Sequence, residues 1–380
     1  MAMKDISIQI NPDVFFWLRK SSGWTQEDVS HLLGISILKV KEWEKGHDAP
    51  RLNQLKKLAR AYKRPLAAFL LPRPEIDQPL PSDFRLLPEA NSKFTKDCLL
   101  KIRESQNLQD KSRELMLNLE MDLNPDIDKF SLDDDTEEIA LKERKKMDLS
   151  VDKQKSWTDY YQAFNYLRAQ IEIKNIFVFQ VKADMDDLRG FTLMDSKPFA
   201  IVLNNSDAIQ ARIFTLLHEY AHLLLNEPAL CIPQEDITVK NHKAYIEKWC
   251  NSFAAAFLLP KSEIITDFND LGFANYKKIA KRYNASLSST LTRLYNLNLI
   301  SHDEYYGEIS ILQNSTILKD SDESQGYGLN SAKIAKRDKG LTFISLVLEN
   351  AENDFITNSD VLDYLNIKIK HIEELTNLWV

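Results

Sequence analysis

The sequence predicts an α+β fold that is mostly helical, and three observations carry the prediction. Only 9 of its 380 residues are Gly, which disfavours an all-β chain whose tight turns depend on that residue. Apolar residues recur at helical spacing through most of the length. One stretch departs from this: runs 175–181, 189–193 and 199–203 are short and rich in β-branched and aromatic residues, so they read as strands of a small sheet. The length suits two or three domains, and 44% hydrophobic with 28% charged content is that of a chain with a packed core. Net charge is −7, but residues 1–72 hold 12 Lys and Arg against 7 Asp and Glu. A basic end on an acidic chain points to a polyanion as that end's partner.

Residues 11–72 read as five short helices. The run 13–20 is amphipathic and Gly23 breaks it. Thr25, with Asp28 three positions on, makes an N-cap box for 25–33, and Gly34 ends that helix. Ser36 caps the next, over 37–45, and Gly46 stops it. Beyond Pro50, Leu52, Leu55, Leu58, Ala59 and Tyr62 mark a fourth helix; Pro65 opens a fifth over 66–71. Two helices joined by a short turn form the helix-turn-helix layout, whose second helix enters the DNA major groove. Gln26, Ser36, Lys39 and Lys41 are the candidate DNA-binding residues. A five-helix module that binds a protein is the alternative reading of the same residues.

Pro72, Pro74, Pro79, Pro81 and Pro88 make the next stretch an extended tether. Residues 92–120 return to helical periodicity through Leu99, Ile102, Leu108, Leu115 and Leu119. The stretch 122–135 is acidic and reads as a solvated loop, with Asp133 to Asp135 capping a helix over 136–147. A helix over 157–170 precedes the three strands. Gly190 suggests a turn or bulge, and an edge strand of the sheet could pair with an extended peptide.

The run Thr215-Leu216-Leu217-His218-Glu219-Tyr220-Ala221-His222-Leu223-Leu224-Leu225 holds H-E-x-x-H in an apolar stretch without Gly or Pro, so it reads as a buried helix. Residues four apart share a helix face, so His218 and His222 aim their rings at one point. Titratable groups among such neighbours are costly to bury unless they are paired or bind a metal. The pattern suits a zinc ion on the two His, with Glu219 taking a proton from water. A third ligand is needed. Leu225 and Pro228 stand where the longer motif H-E-x-x-H-x-x-G-x-x-H has its Gly and final His, so that version is excluded. Over 245–260, Ile246, Cys250, Phe253 and Phe257 form an apolar helical seam with Glu247 and Asn251 on a stripe beside it. Glu247 is the candidate third ligand, His242 its rival, and Asn251 a group that would orient a ligand histidine. Tyr220 and Tyr245 are candidates for stabilising an oxyanion.

The acidic residues Glu227, Glu235 and Asp236 fall in an expected loop over 226–241. Helices are expected again after Pro260, with 276–286 and 288–294 arranged like a second helix-turn-helix. A linker at 312–328 and short helices over 343–350, 359–364 and 368–375 complete the chain. Cys98, Cys231 and Cys250 are odd in number and lack C-x-x-C pairing, which argues for a reducing cytoplasm. No apolar signal core or membrane span is expected.

Two stretches carry resemblances. T-L-L-H-E-Y-A-H-L-L-L, followed by E-K-W-C-N-S-F-A-A-A-F-L-L-P, resembles the ImmA/IrrE family of metallopeptidases. That resemblance implies a zincin-like, gluzincin-type domain with zinc on His218, His222 and Glu247 and Glu219 as general base. The small sheet before the H-E-x-x-H run fits it. Thr25-Gln26 through Trp43-Glu44-Lys45-Gly46, with Pro50 following, resembles the Cro/C1-type (XRE) helix-turn-helix family. Ile37 and Leu38 depart from that family, standing where polar base-reading residues are common. Pro81-Ser82-Asp83-Phe84-Arg85 resembles a segment of members in which the two modules are fused. The implied organisation is a helix-turn-helix domain over 1–75, a tether and helical linker over 76–150, a zinc metallopeptidase core over 151–265 and a helical C-terminal region over 266–380. The implied function is a cytoplasmic, DNA-associated zinc metallo-endopeptidase regulating transcription by cleaving a helix-turn-helix repressor. Its partners are then DNA, through 1–75, and a protein substrate; a homodimer stays open. The rival is a transcription regulator or antitoxin-like binder whose zinc domain senses rather than cuts.

Overall fold

The computed structural model describes residues 7–74, 95–184, 188–226, 237–317 and 330–376, without the side chains of 237–241, 313–317, 373 and 376. The 81–85 segment, the loop acids Glu227, Glu235 and Asp236, Cys231 and linker residues 318–328 lie outside the described residues. The chain forms two compact units.

The first unit contains residues 7–74 and 95–108. Its helices are α1 (Pro12–Ser21), α2 (Gln26–Leu33), α3 (Ile37–Lys45) and α4 (Leu52–Ala61), and the expected fifth helix is a 3-10 turn, Leu66–Leu70. Local chemistry sets each boundary. Thr25 Oγ1 accepts the Asp28 N–H while Asp28 accepts the Thr25 N–H, a reciprocal cap that starts α2. Gly34 (φ 64°) and Gly46 (φ 76°) end α2 and α3 in the left-handed region that favours glycine. Phe15, Trp43, Tyr62 and Phe69 are fully buried and meet ring to ring. Arg19 forms a buried pair with Glu44 at 2.5 Å, tying α1 to α3. The first half of α5 (Lys96–Asn118) belongs to this unit. Its Arg103 is buried and donates to Ser22 Oγ, Tyr62 O and Ser21 O at 2.7–3.0 Å.

The second unit holds the rest of α5 and everything beyond it apart from a short segment before the second strand. It contains α6 (Thr136–Lys146), α7 (Val151–Ser156), α8 (Tyr160–Glu172), β1 (Ile176–Val181), β2 (Gly190–Leu193), β3 (Phe199–Asn204), α9 (Ile209–Leu225), α10 (Ile237–Leu258), α11 (Lys261–Leu271), α12 (Tyr276–Arg282), α13 (Leu287–Asn296), α14 (His302–Ile317), α15 (Ser331–Glu352), α16 (Asn358–Leu365) and α17 (Ile372–Thr376). The sheet order is β1-β3-β2, with β1 parallel and β2 antiparallel to the central β3. Every strand residue is buried, so the runs are mostly apolar on both faces instead of alternating, with Gln180, Thr192 and Asn204 as buried polar exceptions. Ile176, Val178, Ile201 and Leu203 join the core formed with α8, α9 and α10. Phe177 and Phe179 meet Phe343 of α15 edge to face, at 6.3 and 5.7 Å between ring centroids.

Helix α15 contains a break. Gly340 has φ 81° and ψ 164°, and a Cβ there would meet Arg168 Nη2 and Glu172 Oε1 at 2.5 Å. Arg168 donates to Arg337 O at 2.8 Å, a carbonyl just before the break, and also to Val178 O of β1, so it ties α15 to the sheet at this point. Helix α6, in the stretch read from sequence as a linker, packs along α10. Helix α10 begins at Ile237, inside the expected loop, and α14 runs through Ile317, past the expected start of the linker. Among the described residues no helix is long and apolar enough to cross a membrane.

Candidate metal centre

Two helices of the second unit build the centre. Helix α9 is buried along almost its whole length, with His218, Glu219 and His222 between 1 and 2% exposed. It has two working faces. Tyr220 points into the core, where its hydroxyl donates to Glu143 Oε2 at 2.6 Å; burial raises its pKa well above the ordinary value. This sequence candidate for an oxyanion donor is therefore committed to α6. Tyr245, the other, is exposed on α10. His218 and His222 turn toward α10, their rings 4.9 Å apart.

Helix α10 supplies the remaining groups. Trp249 and Phe253 stack at 5.9 Å, and Cys250, Phe253 and Ala254 are fully buried. This seating places Glu247 and Asn251 against the α9 histidines. Glu247 Oε2 is 3.3 Å from His218 Nε2, and Oε1 is 3.6 Å from His222 Nε2. The two Nε2 atoms are 3.1 Å apart. Burial pushes the Glu247 carboxyl up, but the hydrogen bond with His218 and the nearby His218, His222 and Lys243 bring it below the usual range.

The donor set fits a zinc ion. Ligand atoms about 2.0–2.1 Å from one tetrahedral centre stand ~3.3 Å from each other. The contacts here are near that spacing: 3.1 Å between the two nitrogens, and 3.3 and 3.6 Å from each nitrogen to the nearer oxygen of the Glu247 carboxylate. Two imidazole nitrogens and one carboxylate oxygen also form a donor set found in zinc hydrolases. Among the described residues, His218, His222 and Glu247 are the group of three whose donor atoms all lie within 4.8 Å of one another. His242, the rival from sequence, lies more than one turn from Glu247 along α10 and is not in that group.

Asn251 Oδ1 lies 3.1 Å from His218 Nδ1. An amide oxygen only accepts, so this contact calls for a proton on His218 Nδ1, and Nε2 is the ring atom turned to Glu247 and His222. Glu219 follows His218 on α9, and its carboxylate reaches toward Gly190 of β2. A Cβ built on Gly190 would meet Thr215 Cγ2 at 2.6 Å, Val202 O at 3.1 Å and Glu219 Oε1 at 3.4 Å. Gly190 therefore lets the strand approach the helix at the level of the Glu219 carboxylate. The sequence suggests a turn or bulge at Gly190, and the structure has it as the first residue of β2. A lone Gly in a β-rich run also marks close approach of another element, the signal that would have found it.

The candidate DNA-binding residues lie in the first unit. Gln26, at the start of α2, donates its amide to Glu44 Oε2 at 2.6 Å. Ser36 Oγ accepts the Leu38 N–H at 3.2 Å as the α3 cap. Lys39 is 3.5 Å from Asp48. Lys41 is exposed on α3.

Residues 171–295 match the family described as the IrrE N-terminal-like domain, peptidase family M78. Residues 16–69 match the family described as helix-turn-helix. No curated protein matches the chain. The first match contains β1–β3, α9 and α10 and the second α2–α4, so the chain carries one domain of each kind.

Proposed function

Taking the chain as an ImmA/IrrE-type domain joined to an XRE-type helix-turn-helix domain, we propose that it is a zinc-dependent metallo-endopeptidase acting at DNA to regulate transcription. The observation that carries this reading is the triangle of donor atoms from His218, His222 and Glu247 beside the buried Glu219. In the proposal these three residues hold the ion and Asn251 fixes the tautomer of His218. Zinc supplies Lewis acidity toward a peptide carbonyl and lowers the pKa of water. Glu219 then accepts the proton of the attacking water and returns it to the leaving amine, as a general base followed by a general acid. An extended substrate segment aligns along the edge strand β2, whose Gly190 lies against Glu219.

The first unit supplies location. Its match to a helix-turn-helix family and its excess of Lys and Arg support duplex DNA as partner. The proposed substrate is a repressor protein at the same DNA, whose cleavage releases its genes. The odd cysteine count and the DNA partner support a cytoplasmic setting. The testing experiment incubates zinc-loaded protein with chromatin-associated proteins of its host, then maps new N-termini by mass spectrometry. The proposal expects cleavage sites made by the wild type and absent with Glu219→Gln. Identical N-termini from both proteins would refute it.

A further inference from the structure

The recognition helix has an unusual outward face. Along α3, Val40 and Trp43 are buried, and Glu44 is held by Arg19 and Gln26. At 3.6 residues per turn the opposite row is Leu38, Lys41, Glu42 and Lys45. Glu42 is occupied by His47 at 2.9 Å, with Lys45 at 3.9 Å. Leu38 lies at the centre of this row in the first helical turn and is 67% exposed. A single exposed Leu is ordinary on a protein surface. Its position is not, because the N-terminal residues of a recognition helix are those that meet base edges.

Three of the four candidate DNA-binding side chains are already engaged within the unit. Ser36 caps α3 through the Leu38 N–H, the Gln26 amide donates to Glu44, and Lys39 pairs with Asp48. Direct readout in the major groove works through hydrogen bonds or through contact with the C5-methyl of a pyrimidine. A leucine can do only the second.

We propose that α3 reads pyrimidine C5-methyl groups in the major groove through Leu38, so that the bound duplex is selected by where its thymines place their methyls. The inference rests on the DNA-binding reading of the first unit. Lys41 and Lys45, on the same row, serve the backbone phosphates in this arrangement. Thymine is the ordinary source of the methyl, and 5-methylcytosine presents the same group at the same ring position.

The test uses the full-length protein. A random duplex pool is enriched for bound sequences at low salt. Binding to the enriched site is then measured with each thymine replaced singly by uracil, which deletes the methyl and leaves every hydrogen-bonding group. The expected result is a loss of about fourfold, the worth of one buried methyl, at one or two positions. That loss disappears in Leu38→Ala, whose fold is safe because the side chain is exposed. Replacing the sensitive T·A pair by 5-methylcytosine·G separates the sources: retained affinity assigns recognition to the methyl itself, and lost affinity restricts it to thymine. Equal binding of thymine and uracil sites by the wild type overturns the inference while leaving DNA binding intact, as does a uracil effect that persists undiminished in Leu38→Ala. Failure to enrich any duplex overturns the DNA-binding reading and the inference with it.

Discussion

Glu219 and Asn251 occupy different chemical positions, so their variants should fail differently. Glu219→Gln keeps shape and volume and removes the base. It should hold zinc as the wild type does while losing proteolysis by at least the ~10²-fold that general-base catalysis contributes. Zinc content and cleavage rate measured on one preparation check this; cleavage at the wild-type rate would remove Glu219 from the mechanism. Asn251→Ala deletes the acceptor 3.1 Å from His218 Nδ1. It should weaken zinc affinity by roughly 10–100-fold, the usual effect of losing the group behind a ligand histidine. Competition with a chromophoric chelator gives that affinity, and an unchanged value would make Asn251 a packing residue. The pair His218 and His222 is legible in the sequence because helix geometry alone puts residues four apart on one face. Glu247 against His242 is not settled by spacing, since spacing does not say which turn of α10 faces α9. Gly190 is less legible still: its role exists only because a helix passes within a missing methyl of it.

At the scale of elements, the position of Glu247 depends on how α10 is seated. Trp249 stacks on Phe253 and donates its Nε1–H to Asp134 O at 3.1 Å. Trp249→Ala should cost about 3–5 kcal/mol as a large-to-small change at a buried aromatic. Chemical denaturation checks it, and a cost below about 1 kcal/mol would mean that α10 is held by other contacts. In the first unit, removing Arg103 leaves Ser22 Oγ, Tyr62 O and Ser21 O without that donor. Arg103→Ala should destabilise the unit by about 2 kcal/mol and lower DNA affinity in proportion to the unfolded fraction. A melting curve like the wild type's would show that these acceptors find other donors. The helices of the first unit are legible because caps and glycines mark their ends: Thr25 with Asp28, then Gly34, Ser36 and Gly46. The packing of α6 on α10 and of α15 on the sheet is not, because apolar periodicity reveals a buried face without naming what covers it. The break at Gly340 likewise answers to Arg168 and Glu172, more than 160 residues away in the chain.

At the scale of the whole molecule, two activities are assigned to one chain, and salt and metal should separate them. DNA binding should weaken steeply as salt rises, with Lys41→Ala and Lys45→Ala each lowering the log–log slope by about 1 if each cation meets one phosphate. Salt-independent binding would contradict an electrostatic phosphate interface. The central claim is the metal centre. Its most direct test is the metal content of protein purified without added metal, with wild type measured beside His222→Ala and Glu247→Ala. The account predicts about one zinc per wild-type chain, lost or strongly reduced in both variants, as a site needing three protein ligands requires. A wild-type chain that carries no zinc, with both variants folding as it does, would contradict the account and reduce the centre to a packed pair of helices.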